Sequence, residues 1–210
     1  MSPGTALTAG GPAPPILIPV VDDDGAVRDS LSLLLRAAGY ASLGFASAEA
    51  LLAGLPAEAR CLIVDVRMPG GMDGVALVEA LRRRGNTIPT ILVSGHGDIP
   101  LAVRAMKAGA VDFIEKPYED TAILGAVAQA LRGPPLAPEA EAIRQIALLS
   151  PREREVLIGL VDGKPNKAIA HELGISPRTV EVHRAHVMDK LGARSLSAAV
   201  RTALLAGLAT

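Results

Sequence analysis

Four short apolar runs in this chain are each followed by isolated polar side chains: Ile16 to Val21 by Asp22 and Asp23, Leu62 to Val64 by Asp65, Ile91 to Val93 by Ser94, and Val111 to Ile114 by Lys116. A strand buried on both faces reads as a continuous apolar run, and an open α/β sheet binds ligands at the carboxyl ends of its strands. The pattern therefore predicts a parallel sheet whose ends bring these five side chains together.

Three carboxylates, a hydroxyl and an ammonium suit one hard divalent cation and one phosphoryl group. Magnesium prefers carboxylate and water oxygens and shares its ligands with substrate phosphate. Asp22 and Asp23 have the character of metal ligands. Asp65 can give one oxygen to Mg2+ and use the other as a nucleophile toward phosphorus. Ser94 and Lys116 would hold the new phosphoryl oxygens by hydrogen bond and charge. The plainer alternative is a buried acid cluster with Lys116 as counter-charge, which is costly because three acids facing one lysine call for a cation.

At 210 residues, half of them apolar, the chain has room for one large domain or two ordinary ones. Strand-like and helix-like segments alternate up to residue 131, whereas no strand pattern remains after Ser150. Between them, the proline-rich stretch Arg132 to Pro138 breaks the preceding helix and acts as a semi-rigid connector, followed by a short helix within residues 139–149. The expected division is a disordered tail over 1–15, an α/β domain over 16–131, a linker over 132–149 and a helical domain over 150–210. Net charge is −1, but residues 1–131 sum to −4 and residues 150–210 to +3. Only the back half is therefore expected to meet a polyanion.

The single cysteine, Cys61, excludes an internal disulfide and reads as a small buried hydrophobe. Met1 to Pro15 lacks the basic start and apolar core of a signal peptide, and no apolar stretch is long enough and charge-free enough to span a bilayer. A cytoplasmic location without membrane attachment is expected.

In the back half, Ser150-Pro151-Arg152-Glu153 forms a capping box that starts a helix through Val156, Leu157 and Leu160. A second helix runs from about Asn166 to Gly174, and Ser176-Pro177 caps a third, which makes a helix-turn-helix. A fourth begins near Ser195 and buries Leu196, Val200 and Leu204. Along the third helix, the roughly 100° advance per residue places Val180, Val187 and Leu191 on one face. Arg178, Glu181, Val182, Ala185, His186 and Asp189 fall on the other, as on a helix that enters the major groove. Glu181 suits a cytosine amino group, and Val182 or Ala185 a thymine methyl. Arg178, Arg184, His186, Lys190, Asn166 and Lys167 suit phosphates. Thr179 completes the candidate DNA-binding set. His183, beside the packed face, is expected to be a hydrogen-bonded structural histidine rather than a metal ligand.

The strings VVDDD, VDVRMPG, SGHGD and AGAVDFIEKP resemble the receiver domain of two-component response regulators of the NarL/FixJ family. LSPREREVL, PNKAIAHELGISPRTVEVHRAHVMDKLGA and SLSAAVRTAL resemble the LuxR-type tetrahelical output domain. The resemblance implies a flavodoxin-like doubly wound sheet of five parallel strands in order 2-1-3-4-5, followed by a smaller all-α helix-turn-helix domain. It assigns Asp65 as phosphoacceptor, Asp22, Asp23 and the Arg67 backbone carbonyl as further magnesium ligands, and Ser94 and Phe113 as switch residues. Lys116 becomes the phosphate-sensing lysine. It implies a sensor histidine kinase as phosphodonor, homodimerisation on phosphorylation, double-stranded DNA as target and RNA polymerase as a further partner. The chain would then be no enzyme in its own right but a transcription regulator.

Two departures stand out. Gly70-Gly71-Met72-Asp73 makes the loop after Pro69 one residue longer than the family pattern, just downstream of Arg67. Pro19 falls in the first strand, where it cannot donate to a ladder. They leave room for a degenerate receiver that regulates DNA without phosphorylation. A magnesium-dependent phosphohydrolase using Asp65 is a further alternative, without a visible general acid.

Overall fold

The computed structural model describes residues 15–95, 99–133 and 138–208. The expected tail therefore lies outside the described residues apart from Pro15, as do His96 to Asp98 and Pro134 to Ala137 of the connector.

Five strands, β1 (Leu17–Val21), β2 (Ala41–Phe45), β3 (Leu62–Asp65), β4 (Thr90–Ser94) and β5 (Asp112–Glu115), form one parallel sheet in the order β2-β1-β3-β4-β5. This is the order that the resemblance implied. Helices α1 (Gly25–Ala37), α2 (Ala48–Gly54), α3 (Gly74–Arg83), α4 (Ile99–Ala108) and α5 (Asp120–Arg132) connect and cover it. Alternate strand residues serve opposite faces: Leu62 and Val64 pack with α2, α3 and α4, while Ile63 packs with α1 and α5. Each large aliphatic side chain withdrawn from water in this way contributes about 1.5–3 kcal/mol.

Pro19 is buried in β1 opposite Leu43 of β2, and the β1–β3 ladder pairs only Val20 with Ile63 and Val21 with Val64. A central strand thus accepts proline in the gap between the isolated Leu17–Ala59 bridge and the start of the β1–β3 ladder at Val20. Cys61 is buried as expected, and burial pushes its thiol up to about 12.

The remaining helices are α6 (Pro138–Ala147), α7 (Pro151–Val161), α8 (Asn166–Leu173), α9 (Pro177–Leu191) and α10 (Leu196–Leu205). Ser150 and Glu153 form the reciprocal capping box at the start of α7, and Ser176 and Ser195 cap α9 and α10. Val180, Val187 and Leu191 are buried as the helical periodicity requires. The fourth helix of this half behaves differently. Its Ala199 and Ala203 join the core shared by α6, α7 and α9, and Val200 is buried in the receiver-side cluster with α4 and Phe113, while Leu196 and Leu204 are half-buried, each against that cluster and against a core of the helical half. Of the expected stripe only Val200 is fully buried; Leu196 and Leu204 lie half-buried between the two halves of the chain. Among the described residues no helix is long and apolar enough to cross a membrane.

Candidate functional site

The topological switch of the sheet lies between β1 and β3, and their carboxyl ends carry Asp22 and Asp65. Both are buried, at 4% and 6% exposure. Lys116, just beyond β5, bridges them: its Nζ lies 2.9 Å from Asp22 Oδ2 and 2.7 Å from Asp65 Oδ1. The Lys116 N–H donates to the Ser94 carbonyl at 2.8 Å, so the lysine leaves the sheet beside fully buried Ser94. Phe113 is buried on β5, three residues before Lys116. The predicted convergence of Asp22, Asp65, Ser94 and Lys116 is therefore present. Asp23 is exposed at the rim.

Burial raises the Asp65 carboxyl above its ordinary range, opposed by the hydrogen bond and charge of Lys116. The Asp22 charge raises it further, while the Arg67 N–H, which donates to Asp65 Oδ2 at 2.6 Å, lowers it. Burial also works against the Lys116 ammonium, but its bonds to Asp65 and Asp22 outweigh that cost and hold its pKa above the usual lysine value. Tyr118 is raised by burial.

Among the described residues no three His, Cys, Asp or Glu side chains are gathered closely enough to hold a metal ion. The donor set nevertheless fits a hard cation by its chemistry. Two buried carboxylates share one ammonium, which leaves a surplus negative charge next to a third, exposed acid, and every ligand is oxygen. Asp22, Asp23, Asp65 and the Arg67 carbonyl are the oxygens that would hold such an ion, Asp22 and Asp65 from buried positions and Asp23 from an exposed one.

One residue of this site escaped the sequence reading. Arg28, in the first turns of α1, donates from Nη1 to the Asp22 and Asp23 carbonyls at 2.6 and 3.0 Å and fixes the backbone of the acidic pair. Its position four residues after an N-cap aspartate was the available signal.

In the back half, Arg178, Glu181, Val182, Ala185, His186 and Asp189 of α9 are all exposed, and Val182 is a large apolar side chain at 48% exposure. Lys167 is exposed, while Asn166 and Thr179 are half-buried. Several of the cations already have partners. Lys190 Nζ donates to Glu153 Oε2 at 2.7 Å, Arg184 Nη1 to Asn166 Oδ1 at 2.9 Å, and Arg178 lies 3.9 Å from Glu181. His183 departs from expectation. Its Nδ1 is buried without a hydrogen-bond partner.

Glu153 joins the capping box to the recognition helix. Its bond to Lys190, then the Ser150 N–H at 2.7 Å, bring its carboxyl down to about 2. The sign follows from linkage: a lowered acid stabilises the fold above the ordinary carboxyl value, and this contribution fades as pH falls toward 2. Glu153→Gln is therefore expected to lower the urea midpoint at neutral pH, with the gap to wild type narrowing below about pH 4.5. Urea melts across that range check this, and a gap that stays constant would contradict it.

Residues 18–128 match the family described as response regulator receiver domain, and residues 147–203 match bacterial regulatory proteins of the luxR family. The chain is 52% identical over 196 residues to the transcriptional regulatory protein FixJ of Azorhizobium caulinodans, covering 90% of this chain and 92% of that one. It is 48% identical over 195 residues to FixJ of Bradyrhizobium diazoefficiens, covering 90% and 95%. The crystal structure of full-length FixJ from B. japonicum covers 92% of this chain and 98% of its own, with a TM-score of 0.53 and 48% identity.

Proposed function

Because this chain belongs to the FixJ-like response regulators, with a receiver domain and a LuxR-type DNA-binding domain, we propose that Asp65 takes a phosphoryl group from the phosphohistidine of a sensor kinase. The observation that supports this most directly is the buried Asp65 carboxylate bonded to Lys116 beside Asp22. An Asp65 oxygen forms the new P–O bond as the donor P–N bond breaks, and the electron pair returns to the imidazole nitrogen. Lys116 and the Ser94 hydroxyl then bind the phosphoryl oxygens. Receiver domains generally bind Mg2+ here, and the bound ion supplies charge neutralisation to those oxygens. Asp22, Asp23, Asp65 and the Arg67 carbonyl would hold it, with Arg28 keeping the backbone of the first two in place.

Phosphorylation adds a charge of about −1.5 to −2 next to Ser94 and, through β5, Phe113. Ser94 moves toward the phosphoryl oxygens and Phe113 turns into the space it leaves. The α4–β5 face that changes is the face α10 covers. Ser197 Oγ donates to Asp112 Oδ1 at 2.6 Å, and Arg201 Nη1 reaches the Val111 carbonyl at 3.5 Å. Family resemblance gives the same face to the phosphorylated dimer. The closed chain and the dimer therefore compete for one surface, and dimerisation releases the output domain to bind paired half-sites and contact RNA polymerase.

Within the output domain, Glu181, Val182 and Ala185 are the base-facing set, and Arg178, Thr179, His186 and Lys167 the phosphate-facing set. Asn166, Arg184 and Lys190 join the latter by exchanging an internal partner for a phosphate. The test is to load the intact chain with acetyl phosphate and Mg2+, weigh the phosphoprotein and measure promoter binding at several salt concentrations. Phosphorylation should strengthen binding, and log affinity should fall linearly with log salt at a slope of about −4 per protomer for the four Lys and Arg side chains of the phosphate-facing set. A flat salt dependence would contradict the phosphate set, and absence of a phosphoprotein would contradict the site.

A further inference from the structure

The loop leaving the phosphoacceptor carries the extra residue. Its base is closed tightly: the Gly74 N–H donates to the Val66 carbonyl at 2.9 Å, and a Cβ on Gly74 would lie 2.4 Å from the Asp65 carbonyl oxygen. Near its start, the Arg67 N–H folds back onto Asp65 Oδ2. The added length must therefore be taken up between Met68 and Met72. Gly70 accommodates part of it with φ of +83°, a conformation side chains rarely adopt.

Gly71 is needed for a different reason. It has no positive φ, yet a Cβ there would lie 2.8 Å from Glu49 Oε1. Glu49 stands in the first turn of α2, and its Oε1 accepts the Met72 N–H at 2.7 Å. This hydrogen bond ties the loop to a neighbouring element. The bond to Met72 also holds the Glu49 carboxyl below its ordinary range. Beyond it, Asp73 caps α3 through Ala76 and lies 3.8 Å from Arg104 of α4.

We propose that Glu49 is a positioning residue for the phosphoacceptor loop, holding the lengthened turn so that the Arg67 carbonyl stays directed at the cation site it shares with Asp65. The proposal rests on the reading of Arg67 as a metal ligand given above. The physical reason is conformational freedom. Two adjacent glycines would let a loop closed at residues 66 and 74 sample several shapes, and one charge-assisted hydrogen bond at Met72 selects among them. Gly71 leaves the space in which that carboxylate sits.

Mn2+ serves as the probe, titrated into the full chain with free ion read by electron paramagnetic resonance, and melting temperatures are recorded without metal. Glu49→Ala is expected to weaken Mn2+ binding about 10-fold, the lower range for groups that orient ligands from behind. Gly71→Ala, which pushes the carboxylate aside, should weaken it about as much. The double variant should lose no more than either alone, since both remove one bond. Glu49→Gln keeps an accepting oxygen and should stay within about 2-fold of wild type. Unchanged affinity in Glu49→Ala, or additive losses in the double variant, would overturn the proposal. So would a Glu49→Ala loss that follows a fall in melting temperature while Gly71→Ala binds normally. A wild-type chain that binds no Mn2+ would remove the cation site and this assignment with it, which separates failure of the site from failure of the clamp.

Discussion

Asp65→Asn is expected to reduce phosphoryl incorporation from acetyl phosphate by about 10^3-fold or more, the scale of losing a nucleophile outright. The amide has the same shape, but its single oxygen can accept from Lys116 or from the Arg67 N–H and not from both, so its NH2 faces the other donor. Stability should not fall in parallel. A carboxyl raised mainly by burial costs the fold nothing below its ordinary value, and costs progressively more as pH rises through its raised value. At neutral pH relief of that burial cost should offset the acceptor lost to Lys116 or to the Arg67 N–H, leaving the variant within about 1 kcal/mol of wild type. Phosphoprotein mass, urea midpoint and phosphodonor-dependent promoter binding together check this. An Asn variant that still dimerised and bound promoter in response to the donor would place the switch elsewhere.

Ser197→Asp is expected to open the chain without phosphorylation. Ser197 is buried at 2% exposure, and its hydroxyl donates to Asp112. A carboxylate in its place loses that bond and faces a like charge, which together cost the closed arrangement about 2 kcal/mol after allowance for the partial exposure of Asp112. At 1.4 kcal/mol per factor of ten, this moves the open fraction by roughly 30-fold. The helix itself should not suffer, because position 197 lies in the first turn of α10, where an acid favours the helix dipole. Ser197→Ala removes only the hydrogen bond, and about 1 kcal/mol corresponds to roughly a 5-fold effect. Small-angle scattering should show the unphosphorylated Asp variant extended, and its promoter affinity should approach that of phosphorylated wild type. A compact variant with wild-type DNA affinity would show that the α10 contact does not restrain the output domain.

Much of the site was legible along the chain because its signals are local. An apolar run that stops at Asp65 says that a buried strand ends on an acid, whatever the strand's neighbours are. Ser150 and Glu153 announce a helix start through bonds three residues apart. Helical spacing separated buried Val180, Val187 and Leu191 from the exposed face of α9. The resemblance added the strand order and the role of Phe113, which no local pattern carries.

Other features depended on distant elements. Glu49 meets Met72 across 23 residues, and Ser197 meets Asp112 across 85. Lys190 looked like a free phosphate contact, but its partner is the buried Glu153 of another helix. His183 was expected to find a hydrogen bond, yet the packing around α9 encloses Nδ1 without one.

The sequence by itself determined which side chains must leave water, where helices begin, and which acids and cations terminate the strands, because burial periodicity and capping act within a few residues. Only the tertiary structure decided what each buried stripe faces. Val200 is buried against the receiver-side cluster, whereas Leu196 and Leu204 sit half-buried between both halves of the chain, an arrangement made by the stacking of α10 on α4 and β5.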